Sequence, residues 1–156
     1  MNTADKIIYW HQLPCRSIPR VGKVVFTNGC FDVIHRGHIE CLQGAKALGD
    51  TLIVGLNDDA SVTRLKGPAR PVNGEEDRAT VLAALACVDV VVTFPQDTPE
   101  LLIREVRPHI LVKGEDWRGR DVAGAHFVLD TGGKVVFLPL VPGCSTTRTL
   151  ELCRGD

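Results

Sequence analysis

The chain has 156 residues, of which 44% are hydrophobic and 24% charged, and its formal net charge is −1. This length fits one compact domain, and the composition is not that of a disordered chain. A nearly neutral chain has no bulk electrostatic attraction to nucleic acid or to an anionic membrane, so neither is an expected partner. It has no run of about 18 apolar residues and no signal-peptide pattern, which predicts a cytoplasmic protein.

Apolar runs alternate with helical segments along the chain, which predicts an α/β fold with a parallel sheet of about five strands and helices on both faces. The runs are nearly continuous in Val, Ile and Leu, as in strands covered on both sides. Strands are predicted at Lys23–Thr27, Thr51–Leu56, Val88–Thr93, Ile110–Lys113 and Lys134–Leu138. Residues 1–22 are predicted to be a short helix and an extended lead-in, and residues 23–156 a single domain.

The helical segments carry start and stop signals. Helices are predicted at Ile39–Leu48, Arg78–Ala86, Glu100–Val106 and Val122–Thr131. Asn73 and Glu76 resemble a capping box before the second helix. Thr98 and Pro99 have the residue types of an N-cap and a first helical position before the third. Gly132-Gly133 is a stop signal after the fourth.

The turn between the first predicted strand and the first helix carries the main functional signal. His35 and His38, three residues apart at a helix entrance, lie on the same face and can reach one ligand. The free N–H groups of that first turn and the helix dipole favour an anion there. Gly37 removes a side chain where a ligand would approach the backbone. The pattern indicates a phosphate site with two imidazole donors.

A second polar segment, Ser145-Thr146-Thr147-Arg148, follows the fifth predicted strand and opens the last helix. Its N–H groups and three hydroxyls would form another anion site, although the same residues would also serve as a plain N-cap. Ligands of parallel α/β sheets bind at the carboxyl ends of the strands, so the two segments are expected to meet. Neither a GxGxxG nor a GxxxxGK[ST] element occurs.

The string His35-Arg36-Gly37-His38, after a strand that leads into Gly-x-Phe-Asp, resembles the HxGH signature of the nucleotidyltransferase superfamily. Within that superfamily, several segments resemble most closely the adenylyltransferase domain of ADP-heptose synthase: Arg64–Gly67, Arg70–Asn73, Asp97–Pro99, Leu111–Gly114 and Ser145–Thr147. The resemblance extends from about Lys23 to Glu151 and implies a Rossmann-like fold. It also implies transfer of AMP from ATP to D-glycero-β-D-manno-heptose 1-phosphate, with Mg²⁺, in lipopolysaccharide biosynthesis.

The resemblance also implies roles for individual residues. The implied catalytic residues are His35, His38 and Lys46. The implied nucleotide-binding residues are Thr27, Asn28, Gly29, Phe31, Gly37, Lys113, Gly114, Asp116, Ser145, Thr146, Thr147 and Arg148. The candidates for binding the sugar phosphate are Asp32, Arg64, Lys66 and Arg78. Simpler readings stay open: Lys46 as a solvated helix lysine, Asp32 as a local turn stabiliser, and Arg78 as a partner of Glu75.

Partners are implied in the same way. The domain is expected to act on ATP and a sugar phosphate, to form a homodimer, and to work with a separate sugar kinase and phosphatase. No kinase-sized segment is present in these 156 residues, although the domain is fused to a sugar kinase in many bacteria.

One segment departs from the heptose group. The chain has Lys113-Gly114-Glu115-Asp116-Trp117 where that group has Lys-Gly-Gly-Asp-Tyr, and the Gly-x-Asp-Trp form resembles glycerol-3-phosphate cytidylyltransferase. The alternative function is therefore a cytidylyltransferase for glycerol 3-phosphate or another small phosphate or phosphonate.

A reading from another class is a non-catalytic module that binds a nucleotide or a metal. Cys30, His35, His38 and Cys41 are close enough in sequence to form a zinc site, although their spacing matches no common zinc finger. No Cys pair has CxxC spacing, and a disulfide framework is not expected without a secretory signal.

Overall fold

The computed structural model describes residues 2–154 and contains a six-stranded sheet in which all strands are parallel, in the order β1-β4-β3-β2-β5-β6. The strands are β1 (Ile7–Ile8), β2 (Val24–Gly29), β3 (Thr51–Asn57), β4 (Val90–Phe94), β5 (Ile110–Gly114) and β6 (Lys134–Leu138). The α-helices are α1 (Arg36–Lys46), α2 (Asp59–Lys66), α3 (Glu75–Ala84), α4 (Glu100–Val106), α5 (Ala125–Asp130) and α6 (Thr146–Arg154). Short 3₁₀ helices occur at Thr3–Lys6, Trp10–Gln12 and Glu115–Trp117.

The predicted fold class is confirmed, with one strand more than expected. Each of the five predicted strands is present within one or two residues of its predicted ends. The extra strand is β1, which lies in the segment predicted as a helix and lead-in and pairs with β4 through Ile7 and Ile8. A strand of two residues has no periodicity that the sequence could reveal. Its place in the sheet is held by burial, since Ile8 is completely inaccessible to solvent.

Helices cover both faces of the sheet, as predicted. On one face, Leu42 and Ala45 of α1 pack with Leu82 of α3 against the sheet. On the other face, Leu102 of α4 and Val128 of α5 pack against a second set of strand side chains. Nearly all strand residues of β2, β3 and β4 are therefore buried, which explains their continuous apolar sequences.

Two helix starts differ from the predictions. Gly74, without a side-chain hydrogen bond, occupies the N-cap of α3, whereas the predicted cap residue Asn73 donates its side-chain N–H to the carbonyl of Asp32. Pro99, predicted as the first helical residue of α4, is at its N-cap position in place of Thr98. In both cases the neighbouring loop is held by contacts from distant parts of the chain or by proline geometry, which local cap signals do not include.

The strand order reverses at β2. From β2 the chain adds β3 and β4 on one side, and it then crosses to add β5 and β6 on the other. Ligand sites of doubly wound sheets lie at such a switch point, beyond the carboxyl ends of the two central strands. Here that position is lined by the turn after β2 and by the end of β5.

Candidate active site

The turn after β2 brings the two histidines of the HxGH string together. Their rings stack with centroids 3.9 Å apart and planes inclined by 19°, and the Phe31 ring lies 5.1 Å from that of His38. Phe31 has a φ of 46°, a left-handed conformation that is costly for an aromatic residue, by about 1–3 kcal/mol. The surrounding turn maintains this strained backbone, and the result is a paired imidazole surface at the carboxyl end of the sheet.

Both imidazoles are neutral at physiological pH. Burial, with a smaller effect of His35, lowers the pKa of His38 to about 4, and burial also lowers the pKa of His35. The backbone N–H of His35 donates to Nδ1 of His38 at 3.4 Å, which leaves the proton of the neutral His38 ring on Nε2. His38 can therefore donate a hydrogen bond to an anionic oxygen without first being protonated.

Gly37 allows the N-terminus of α6 to approach the histidine turn. A Cβ atom at this position would lie 3.1 Å from Nδ1 of His35 and 3.2 Å from Cβ of Cys144. Thr146 Oγ1 donates to the carbonyl of Val33 at 3.2 Å and so ties the first turn of α6 to the turn after β2. The two predicted anion-binding segments are thus adjacent.

The three hydroxyls at the start of α6 have different surroundings. Ser145 Oγ accepts a hydrogen bond from the N–H of Arg148 at 3.0 Å, as an N-cap side chain does. Thr146 is occupied by its bond to Val33. Thr147 is exposed, and its hydroxyl has no hydrogen-bond partner among residues 2–154. Thr147 and the free N–H groups of the helix start are therefore the groups available to an anion.

Lys113 brings a positive charge to the switch point from the end of β5. Its Nζ donates to Oδ1 of Asn28 at 2.5 Å and lies 5.2 Å from the ring centre of Trp117. The side chain is nearly buried, and this burial lowers the pKa of Lys113 to about 8 although Asp116 and Cys41 oppose the shift.

The backbone beside Lys113 supports this arrangement. Thr27 Oγ1 donates to the carbonyl of Val112 at 3.1 Å, which joins the ends of β2 and β5. A Cβ at Gly114 would lie 2.6 Å from Oδ1 of Asp116, so that carboxylate folds back against the strand end. Gly29 is in a similar position, since a Cβ there would lie 3.1 Å from the Phe31 ring.

Comparison with known proteins identifies the family of this fold and site. The sequence profile of the Cytidylyltransferase-like family matches residues 26–125, which include both histidines and Lys113. The chain belongs to the cytidylyltransferase-like family. The predicted resemblance and the predicted enzyme class, a nucleotidyltransferase, are confirmed.

Within the cytidylyltransferase-like family, the chain is similar in sequence to proteins named HldE. The chain is 55% identical to the bifunctional protein HldE of Sulfurimonas denitrificans over 134 residues, which are 86% of this chain and 27% of that protein. It is 54% identical to the protein of the same name from Magnetococcus marinus over 151 residues, which are 95% of this chain and 31% of that protein. The chain thus spans less than a third of the length of these relatives.

Solved structures agree with the fold. The lipopolysaccharide core biosynthesis protein of Thermoplasma volcanium is 27% identical, with a TM-score of 0.63, and the similarity covers 78% of this chain and 98% of that one. Pantothenate synthetase from Thermus thermophilus has a TM-score of 0.56 at 19% identity, over 87% of this chain and 62% of that one. The second likeness concerns the fold alone.

Four of the residues predicted to belong to the site form contacts with other parts of the protein. Lys46, predicted as catalytic, lies at the far end of α1, where its Nζ donates to Asp89 and to the carbonyl of Asp50, each at 2.6 Å. Asp50 directly precedes β3 and Asp89 directly precedes β4, so Lys46 lies at the amino ends of the strands, opposite to the histidine turn.

Arg78, predicted to bind the sugar phosphate, is a buried structural residue. It is 1% exposed, and it donates to the carbonyls of Asn73, Cys30 and Asn57 and to the carboxylate of Asp59. Its guanidinium thus joins the ends of β2 and β3 to the start of α3. Each of its three nitrogens donates at least one hydrogen bond to a protein acceptor.

Arg64 and Asp32, two further candidates for the sugar phosphate, also have protein partners. Arg64 pairs at an exposed position with Asp97, at 2.8 Å, and donates to the carbonyl of Pro95. Asp32 has no exposed side-chain surface and accepts hydrogen bonds from Arg70, Val72 and Asn73. Asp32 therefore holds the loop of residues 70–73 against the turn after β2, a long-range contact that neither of its sequence-based interpretations included. Arg70, its partner, was not among the predicted site residues.

The zinc reading finds no support in the described part of the chain. Among residues 2–154, no group of three or more His, Cys, Asp or Glu side chains is arranged to hold a metal ion. The six cysteines are free thiols, of which Cys15 and Cys153 are exposed. Within the same residues, no helix has the length and apolar character needed to cross a membrane.

Proposed function

We propose that the chain transfers AMP from ATP to a sugar 1-phosphate, D-glycero-β-D-manno-heptose 1-phosphate, and releases pyrophosphate. The observation that carries this proposal is the stacked, neutral histidine pair at the switch point, next to the N-terminus of α6. The similarity to HldE proteins at 54–55% identity supports the heptose acceptor. The likeness to a lipopolysaccharide core biosynthesis protein points in the same direction.

The chemistry requires positioning and charge stabilisation more than covalent help from the protein. An oxygen of the sugar phosphate attacks the α-phosphorus of ATP in line, a new P–O bond forms, and the bond to pyrophosphate breaks. Nε2 of His38 and the outward nitrogen of His35 would donate to the α- and β-phosphate oxygens, where negative charge increases. The proposed role of Thr147, with the helix N-terminus, is to bind the β- and γ-phosphates.

Lys113 would add charge on the nucleotide side of the site. Its ammonium group is desolvated and held by Asn28, so its attraction for a phosphate oxygen is weakly screened. Trp117, beside it and 39% exposed, gives a flat surface at the same strand end. Thr27, Asn28, Gly29 and Gly114 would line the nucleotide turn through their backbones.

Mg²⁺ would enter with the triphosphate. Asp32 is fully occupied by hydrogen bonds, and the described residues contain no acidic cluster for a protein-bound ion. Mg²⁺ commonly takes most of its ligands from substrate phosphates and water, which fits such a site. Its contribution would be to neutralise charge on the leaving pyrophosphate.

A cytidylyltransferase acting on glycerol 3-phosphate is the second candidate, and Glu115-Asp116-Trp117 favours it. These residues form a 3₁₀ helix directly after β5. The longer similarity to HldE proteins weighs more heavily, and we expect kcat/KM for ATP to exceed that for CTP at least tenfold, a difference of about 1.4 kcal/mol.

A substrate panel tests both candidates. Initial rates of pyrophosphate release would be measured with subsaturating ATP, CTP, GTP or UTP against heptose 1-phosphate, mannose 1-phosphate and glycerol 3-phosphate. Equal rates with ATP and CTP, or a preference for CTP, would reject adenylyl transfer and retain nucleotidyl transfer. No pyrophosphate release with any pair would reject the enzyme.

The proposed partners need their own tests. We propose, from the resemblance to the adenylyltransferase domain of ADP-heptose synthase, a cytoplasmic homodimer that works with a separate sugar kinase and phosphatase. The mass in solution, measured by light scattering, tests the dimer. Coupled assays with a heptose kinase and phosphatase test whether this chain completes the sequence of reactions.

A further inference from the structure

Arg70 lies in the loop between α2 and α3 and has unused hydrogen-bonding capacity. Its Nε donates to Oδ2 of Asp32 at 2.5 Å. Nη1 and Nη2 have no partner within residues 2–154, although only 14% of the side chain is exposed. Both nitrogens are accessible to solvent, so an anionic ligand can reach them without displacing a protein partner.

The Arg70 side chain is fixed in position. Asp32, which holds its Nε, is itself anchored by the N–H groups of Val72 and Asn73 at 2.8 and 2.9 Å. At the backbone, Thr63 Oγ1 donates to the carbonyl of Arg70 at 2.7 Å. An arginine restrained at Nε presents its Nη1–Nη2 edge as a preformed fork, which matches two oxygens of a phosphate.

This fork is connected to the histidine turn. Asp32 directly follows Phe31, whose ring contacts that of His38. Two cations contact the chain directly after β2: Arg78 Nη1 donates to the carbonyl of Cys30 at 2.7 Å, and Arg70 Nε donates to Asp32. The charges of Lys66, Arg78 and Arg70 also oppose the rise that burial causes in the pKa of the Cys30 thiol.

Two of these cations remain available to a ligand. Arg78 uses all of its nitrogens within the protein, as described above. Lys66, exposed at the end of α2, makes no hydrogen bond or ion pair within the described residues, and Nη1 and Nη2 of Arg70 are unpaired there.

We propose that Arg70 binds the phosphate group of the acceptor through Nη1 and Nη2, with Lys66 supplying a second positive charge. This inference rests on the proposed function, because it names the acceptor side of the same site. A phosphate held there would have its remaining oxygen free to attack the α-phosphorus of a nucleotide bound at the histidines. Arg70 thus replaces Arg64 and Arg78 as the arginine expected to contact the sugar phosphate.

Arg70→Gln and Arg70→Lys test the proposal, with Arg104→Gln as a matched control. Arg104 is exposed and pairs with Glu100 on α4, at 2.8 Å. We expect Arg70→Gln to raise KM for the sugar 1-phosphate by about 10–100-fold, the scale for loss of a hydrogen bond to a charged group. KM for ATP should change less than about twofold, the scale of a surface substitution. Arg70→Lys keeps the charge but not the fork and should give an intermediate rise.

A binding experiment separates this inference from the proposed reaction. Each protein, saturated with a non-hydrolysable ATP analogue, would be titrated calorimetrically with a sugar 1-phosphate, and its melting temperature measured. If the wild type binds but does not turn over, and Arg70→Gln does not bind, the reaction is rejected and the role of Arg70 is supported. Unchanged binding in Arg70→Gln, equal rises in both KM values, or no binding by the wild type would overturn the role of Arg70.

Discussion

Replacement of His38 by alanine is the most direct test of the histidine pair. The neutral His38 ring carries its proton on Nε2, so His38→Ala would remove the donor that we propose acts on the developing charge. Loss of one such donor lowers kcat by about 10²–10³, or about 3–4 kcal/mol. KM for ATP should change much less, because the contact strengthens as the transition state forms.

The structural cost of this replacement is small. The bond that His38 Nδ1 accepts is long, at 3.4 Å, and the ring is only partly buried. We expect the free energy of unfolding to fall by roughly 1 kcal/mol, through lost packing against Phe31 and His35. His38→Gln, whose amide N–H₂ can occupy the place of Nε2–H, should recover part of the lost turnover. His126→Ala, at an exposed position on α5, is the control for a surface histidine.

The assay is the initial rate of pyrophosphate release at saturating ATP and sugar 1-phosphate, with single-turnover rates to establish that chemistry is measured. Wild-type turnover in a folded His38→Ala protein would refute the donor assignment. The pH profile gives a second test. With a pKa of about 4, His38 is about 1% protonated at pH 6, so its titration should not reduce kcat between pH 8 and 6. A fall near pH 6.5 that disappears in His38→Gln would contradict the neutral ring.

Other predictions address the remaining groups of the site. Lys113 loses its charge near pH 8, so calorimetric affinity for an ATP analogue should fall from pH 7 to 9 in the wild type but not in Lys113→Gln. The unfolded lysine keeps its proton up to about pH 10.5, so the stability of the wild type relative to Lys113→Gln should rise between pH 8 and 10.5 in urea titrations. Thr147→Val should weaken binding of the same ATP analogue without changing the melting temperature, whereas Ser145→Ala should lower the free energy of unfolding by about 1 kcal/mol through loss of the N-cap. Wild-type affinity for the analogue in Thr147→Val would show that the segment is only the start of a helix. Asp32→Ala should lower the free energy of unfolding by about 3–5 kcal/mol, because it leaves Arg70 and two N–H groups without their buried partner; a loss below 1 kcal/mol would contradict this.

The sequence located the histidine turn well because its signal is local. A strand, a turn and a helix entrance are encoded in adjacent residues, so the spacing of His35 and His38 predicts that they share a face. The buried strands were equally legible, since each is a continuous apolar run covered on both sides. The Ser145 cap followed from residue type and position.

The hydrogen-bond partners of long charged side chains could not be predicted from the sequence. The sequence treats Lys46, Arg64, Arg78 and Arg70 as similar cations near functional segments. In the structure Lys46 binds Asp89, 43 residues away in sequence, at the amino ends of the strands. Arg78 is buried and donates hydrogen bonds to four residues. These contacts depend on which strand ends lie side by side, and that is set by the packing of the whole sheet.

The sequence by itself determined the fold class, the histidine turn and the family of this chain, because local periodicity and a short motif carry that information. Only the tertiary structure decided which cations remain free. Asp32 is buried by the loop of residues 70–73, which arrives from 38 to 41 positions further along the chain. The same contact occupies both oxygens of the Asp32 carboxylate with hydrogen bonds and fixes the position of the Arg70 side chain. Long-range hydrogen bonds of this kind leave no pattern in sequence spacing, because they form only after distant segments have packed together.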